Sequence, residues 1–178
     1  MPNQVTNIIE IKGDPARVKA LFEAVKSDEY GLGSIDFNKL APMPPELAIE
    51  EGSRTDRGLK AYKDFIEVYT FNSKKENFDL SNIPEKAEQA FLRVRPDIDS
   101  ATWKLGKQAF QNQQRWGFTT WYDWRIKNWG TKWNAYGYEG GVQFDGKSLR
   151  FLTAWAPPEP IIAKLAEMYP DLDFTHQW

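Results

Sequence analysis

The sequence predicts an α+β fold, and three observations lead there. Each end of the chain reads as strand, helix, strand. The intervening third reads as helices with no period-two pattern. At 178 residues, with 41% hydrophobic and 27% charged side chains, a single domain buries roughly 70% of the surface its unfolded chain exposes, enough for a core without covalent staples.

Residues 4–12 alternate, with Val5, Asn7, Ile9 and Ile11 on one face and Ile8 opposite, as in a strand buried mostly on one side. Gly13 ends it. Asp14 followed by Pro15 is an N-cap and a first-turn proline. Val18, Leu21, Phe22 and Val25 then follow at helical spacing and form one apolar stripe. Residues 34–40 (SIDFNKL) predict a second strand, closed by Pro42, Pro44 and Pro45. Residues 46–57 are polar and predict a mobile loop. Helices are expected near 58–71, 84–95 and 99–116, the last stopped by Gly117.

A tryptophan-rich helix follows, opened by Thr120 with Asp123 three residues on in a capping-box spacing, and stopped by Gly130. Residues 132–138 and 148–155 alternate as strands, 160–169 form an amphipathic helix, and 171–178 alternate as a last strand. The chain stops while still strand-like, so Trp178 reads as a boundary rather than a natural end. Together these elements predict the split βαβ of a ferredoxin-like antiparallel sheet, with a long, mostly helical insertion between its second and third core strands. The expected organisation is 1–44 and 130–178 as the sandwich and 45–129 as the insertion packed on it.

Composition excludes several chemistries. There is no cysteine, which removes disulfides, thiolate metal sites, cysteine-held iron–sulfur clusters and cysteine nucleophiles. No signal peptide or apolar run of about 20 residues is visible, so the expected location is the cytoplasm, away from membrane. One histidine, His176, is too few for a histidine-built zinc site. The pairs Glu50/Glu51, Asp97/Asp99 and Asp171/Asp173 read as solvated carboxylates. Residues 141–148 (GVQFDGKS) fit the P-loop pattern, but Asp145 and Gly146 signal a turn and Ser148 begins a strand. The helix that the motif requires is missing. No metal or cofactor is expected.

Tryptophan is the unusual residue. Six of eight lie between 103 and 133, where six basic residues face Asp123 alone, a local charge of +5 in a chain of net charge −2. Residues 128–136 (NWGTKWNAY) concentrate the pattern. Their simplest reading is a structural hinge of helix end, glycine stop and strand start, with Trp129 and Trp133 both packed. The residues a binding site could use are Arg125, Asn128, Trp129, Thr131, Lys132, Trp133, Asn134 and Tyr136. Aromatics interleaved with cations suit single-stranded nucleic acid, so 101–133 is a candidate nucleic-acid surface. Asp123, Lys132 and Asn134 could instead converge in a cleft near 129–136, the arrangement of a small cofactor-free enzyme.

The stretches IDFNKLAPMPPEL (35–47) and NWGTKWNAY (128–136), after an N-terminal strand, Gly13, Asp14, Pro15 and helix, resemble the YubB ferredoxin-like family. The resemblance runs from about Val5 to Trp178, with 50–118 unmatched. It implies the fold and a bacterial setting of plasmids, prophages and other mobile elements. It implies no established activity, so no catalytic residue carries over. The function expected is that of a non-enzymatic accessory or interaction protein, binding protein or nucleic acid.

Overall fold

β1 (Gln4–Lys12) lies between two antiparallel partners. β2 (Ser148–Ala154) pairs with it from Gln4↔Ala154 to Glu10↔Ser148, and β3 (Asp173–Gln177) from Ile8↔Gln177 to Lys12↔Asp173. This order, β2-β1-β3, is that of a computed structural model describing residues 3–73 and 80–178. The architecture is α+β on an antiparallel sheet. The chain divides into two compact units: residues up to Met43 together with Tyr122–Trp178, and Pro44–Trp121. No helix among the described residues is long and apolar enough to cross a membrane.

In the first unit the alternation of β1 buries Asn7, Ile9 and Ile11. α1 (Pro15–Val25) starts where Asp14 accepts from the N–H groups of Ala16 and Arg17, both at 3.0 Å, and its stripe Val18, Leu21, Phe22 and Val25 is buried. α6 (Glu159–Met168) buries Ile161 and Leu165. A buried polar stitch crosses all three strands. Asn7 donates its two amide hydrogens to Val5 O (3.0 Å) and Thr153 Oγ1 (2.9 Å). Its Oδ1 is therefore the acceptor for His176 Nε2–H at 2.9 Å. Thr153 passes its own hydrogen to Ala156 O (2.8 Å).

Two expected strands are absent. Residues 34–40 bury Ile35, Phe37 and Leu40 as anticipated, but the backbone turns as a 3₁₀ helix, Phe37–Lys39. Side chains occupy the donors that a strand would offer a neighbour: Tyr138 OH accepts from Ile35 N (3.1 Å), Asn134 Oδ1 from Phe37 N (2.8 Å) and Asp36 Oδ1 from Asn38 N (3.0 Å). Residues 132–138 make a single bridge, Tyr136↔Leu152. The pairing goes no further because Asn134 Oδ1 takes its neighbour's N–H, Ala135 N, at 2.9 Å, and Gly137 turns at φ 94°.

At 141–148 the Asp145 carboxylate accepts from Lys147 N (2.8 Å), Ser148 N (2.7 Å) and Ser148 Oγ (2.7 Å), and Ser148 enters β2. The backbone N–H groups that a P-loop would turn to phosphate are spent on this turn. Residues 142–145 are not a strand, so the turn closes no hairpin.

The second unit holds α2 (Ser53–Ser73), α3 (Glu85–Arg93) and α4 (Ser100–Trp116). The predicted loop 46–57 is shorter than its polarity suggested. Pro45–Leu47 is a 3₁₀ turn and α2 begins at Ser53. Thr55 explains the early start, since it is buried and donates to Glu50 O (2.6 Å). The core gathers Ala61, Tyr62, Phe65, Ile98 and Trp103, with Trp103 5.1 Å from the Tyr62 ring and 5.5 Å from that of Phe65. Glu88 is buried beside it and accepts from Trp103 Nε1 (3.0 Å) and Lys107 Nζ (2.6 Å). α2 and α4 meet at Gly58 and Gly106, where a Cβ on Gly106 would lie 2.0 Å from the Gly58 carbonyl carbon.

That contact reverses an ordinary expectation. Gly→Ala in an open helix gains about 1 kcal/mol. Gly106→Ala should instead cost about 1–3 kcal/mol, because backbone must move to admit the methyl; a melting curve of the variant checks the sign. Burial holds the His176 imidazole below its ordinary pKa, although Glu159 opposes the shift. The unfolded chain therefore takes up a proton first as pH falls. Stability should be full above pH of about 6.5 and decline below it, and His176→Gln should flatten that slope in denaturant titrations across pH 5–8.

Candidate functional site

α5 (Trp121–Trp129) ends at Gly130, whose N–H returns to Ile126 O at 3.1 Å with φ 81°. The geometry around this stop decides what the aromatic segment does. Trp129 is 0% exposed. Its indole N–H donates to Ala41 O (2.9 Å), and its ring meets Phe37 and Trp124 edge to face, each at 5.8 Å. Arg125 lies over the same ring at 4.8 Å, and its burial there lowers the guanidinium pKa from the usual value. Trp129 is thus interior, and does not wall a cleft.

Most of the polar candidates hold the chain in place. Asn128 Nδ2 donates to Trp124 O (2.8 Å). Thr131, fully buried, donates to Ala154 O (2.9 Å) and accepts from Ala154 N (3.2 Å). Asn134 Nδ2 donates to Asp36 Oδ1 (2.7 Å), besides accepting from Phe37 and Ala135. Tyr136 gives its hydroxyl hydrogen to Thr153 O at 3.4 Å. The convergence of Asp123, Lys132 and Asn134 is not formed: Asn134 serves Asp36, Lys132 sits among tryptophans, and Asp123 is exposed.

Lys132 and Trp133 are the exception. The Lys132 ammonium stands 4.3 Å from the Trp133 ring and 4.1 Å from that of Trp155, a cation between two indoles. Trp133, expected in the core, is 37% exposed, and Trp155 is 50% exposed. Trp155 adopts φ 71°, the only positive φ outside glycine among the described residues. The alternation of residues 148–155 puts it on the same face as Leu149, Phe151 and Thr153. It leaves that face because β2 ends at Ala154. The signal in the sequence was the Ala156-Pro157-Pro158 that follows, which forbids further pairing.

The basic stretch 101–133 is divided between the two units. Lys104, Lys107 and Arg115 belong to the second unit, and Arg125, Lys127 and Lys132 to the first. Lys107 is paired with Glu88 (2.6 Å) and Arg115 with Glu46 (3.2 Å).

A second feature had no motif to announce it. A cavity of about 620 Å³ opens in the first unit where the end of β1 meets the start of α1. Ile11, Val18, Phe22, Leu32 and Phe144 wall it, and Lys12, Lys19 and Lys147 join its lining. Lys147 lies far in sequence from Lys12 and Lys19, so no spacing could have joined the three.

The family whose model matches residues 128–178 is described as a ferredoxin-like domain in Api92-like protein. The matched segment carries the end of α5, the aromatic surface, β2, α6 and β3. No curated protein and no solved structure matches the chain.

The two neighbouring tryptophans should behave differently on truncation. Trp129→Ala should cost about 3–5 kcal/mol, as for other large side chains removed from a packed interior. Trp133→Ala should cost only about 1 kcal/mol, the worth of an exposed cation–π contact. Urea unfolding of both variants makes the comparison.

Proposed function

We propose that this protein is a non-enzymatic accessory or interaction protein of a mobile genetic element, acting in the cytoplasm and binding a protein partner through Trp133, Lys132 and Trp155. In this reading 45–129 is a helical insertion in a ferredoxin-like sandwich built by 1–44 and 130–178. The mobile-element setting rests on the likeness of 35–47 and 128–136 to YubB family sequences. The cytoplasmic setting rests on the lack of cysteine, which suits a reducing compartment.

The binding role rests chiefly on Trp155. A non-glycine residue at positive φ costs on the order of 1–3 kcal/mol and persists where the surroundings enforce it, commonly at recognition sites. Here the strained residue is half exposed, so its burial returns little. Exposed tryptophan beside a cation is the composition of an interface hot spot, completed when a partner excludes water from the rings. Nucleic acid is the second reading. It is less favoured because each indole already carries the Lys132 ammonium on its face, where a base would stack.

Trp155→Asn separates recognition from stability, because asparagine tolerates this backbone conformation. The variant should melt within a few degrees of wild type and lose the partner captured from host cells by the wild-type protein. Unchanged capture by Trp155→Asn combined with Lys132→Ala would overturn the reading. Tight, salt-sensitive quenching of tryptophan by single-stranded RNA or DNA would replace the protein partner with nucleic acid.

A further inference from the structure

We propose that the cavity between β1 and α1 binds a single-chain amphiphilic carboxylate, its hydrocarbon chain against the apolar wall and its head among Lys12, Lys19 and Lys147. The site is separate from the aromatic surface and does not depend on it. Its volume, about 620 Å³, falls within the roughly 300–1,000 Å³ of pockets that enclose small ligands. Ile11, Val18 and Phe22 provide a buried base, while Leu32 and Phe144 remain 39% and 42% exposed over it. Two large apolar side chains left open to water above an apolar hollow mark surface that an apolar ligand would cover.

Charge selects the head group. Among the described residues none of the three lining lysines forms an ion pair, although eleven such pairs occur elsewhere. The nearby carboxylate of Asp145 keeps its charge but directs its hydrogen bonds to Lys147 N, Ser148 N and Ser148 Oγ, not to a lysine ammonium. Glu10 and Asp145 border a smaller adjoining hollow of about 220 Å³, shared with Lys12, Lys147 and Arg150, and Glu23 lies within electrostatic reach of Lys19; Lys12, Lys19, Lys147 and Arg150 still outnumber these three carboxylates. Ammonium groups on flexible stems can gather on one carboxylate while their methylenes line the apolar wall. A neutral lipid would leave the cations unanswered, and a small polar anion would leave the wall wet. The chemistry that meets both demands is a fatty-acid-like anion.

Calorimetric titration with octanoate, decanoate and decanol, all below their aggregation limits, tests this on the intact chain. Decanoate should bind with one-to-one stoichiometry. Each added methylene should tighten binding about fourfold, the value for transfer of a methylene out of water. Decanol should bind at least tenfold more weakly than decanoate. Joint replacement of Lys12, Lys19 and Lys147 by alanine should abolish that preference at unchanged melting temperature. Replacement of the same three by arginine should restore it, and Phe144→Ala should weaken both ligands together. Absence of saturable decanoate binding, equal affinity for decanol, or an unaltered alanine variant would each overturn the proposal.

Discussion

The fully buried indole of Trp129 is the constraint on which the rest of the first unit depends. One N–H bond to Ala41 O fixes the 3₁₀ segment to the end of α5. The ring then stands edge-on to Phe37, which stands edge-on to Phe151 in β2 at 5.8 Å. This aromatic relay joins helix, turn and sheet through rings that each bury about 150–250 Å². With Trp129 set, the direction of the chain after Gly130 is set as well. Thr131 can then reach Ala154, and Lys132 can reach Trp155.

The parts legible in the sequence are those whose side-chain period matches their surroundings. β1, α1, β2, α6 and β3 all fall where alternation or helical spacing put them, and the ferredoxin-like match over 128–178 covers the last three. Residues 34–40 and 132–138 carry the same alternation yet fail as strands. Period two reports which side chains are buried, but says nothing about where the backbone donors go. Asn134 and Tyr138 answer that question for 34–40, from about a hundred residues away. The site was legible in the reverse sense. Asn128, Thr131 and Asn134 looked available because they are polar and clustered, whereas Asn128 returns to Trp124 O in its own helix, and Thr131 and Asn134 bond backbone groups of other segments. The meeting of Trp155 with Lys132 and the gathering of the cavity lysines were hidden because topology brings those neighbours together.

Two candidate surfaces lie at opposite ends of β1. Lys132, Trp133 and Trp155 sit by its first residues, where Trp155 N donates to Asn3 O (2.8 Å), and the cavity sits by Ile11, Lys12 and Gly13. A strand of nine residues separates the two ends by roughly 30 Å. The Asn7, Thr153 and His176 stitch lies along this strand and fixes its register to both neighbours, since a one-residue slip would turn Asn7 outward and break its contacts with Thr153 and His176. The distance between the surfaces is therefore set by a rigid element.

The position of β1 also dictates the order of events during synthesis. It leaves the ribosome well over a hundred residues before segments 148–154 and 173–177, which its hydrogen-bonding edges match. Until those are made, an apolar strand with two open edges must wait in the growing chain. Pro44–Trp121, with its own core, is meanwhile complete. Local contacts of that kind form quickly, whereas pairings this distant in sequence are slow. Early helical folding would hold the nascent chain compact while its first strand remains unpartnered. That interval is when the protein is most exposed to edge-to-edge aggregation and to chaperones that recognise extended apolar segments.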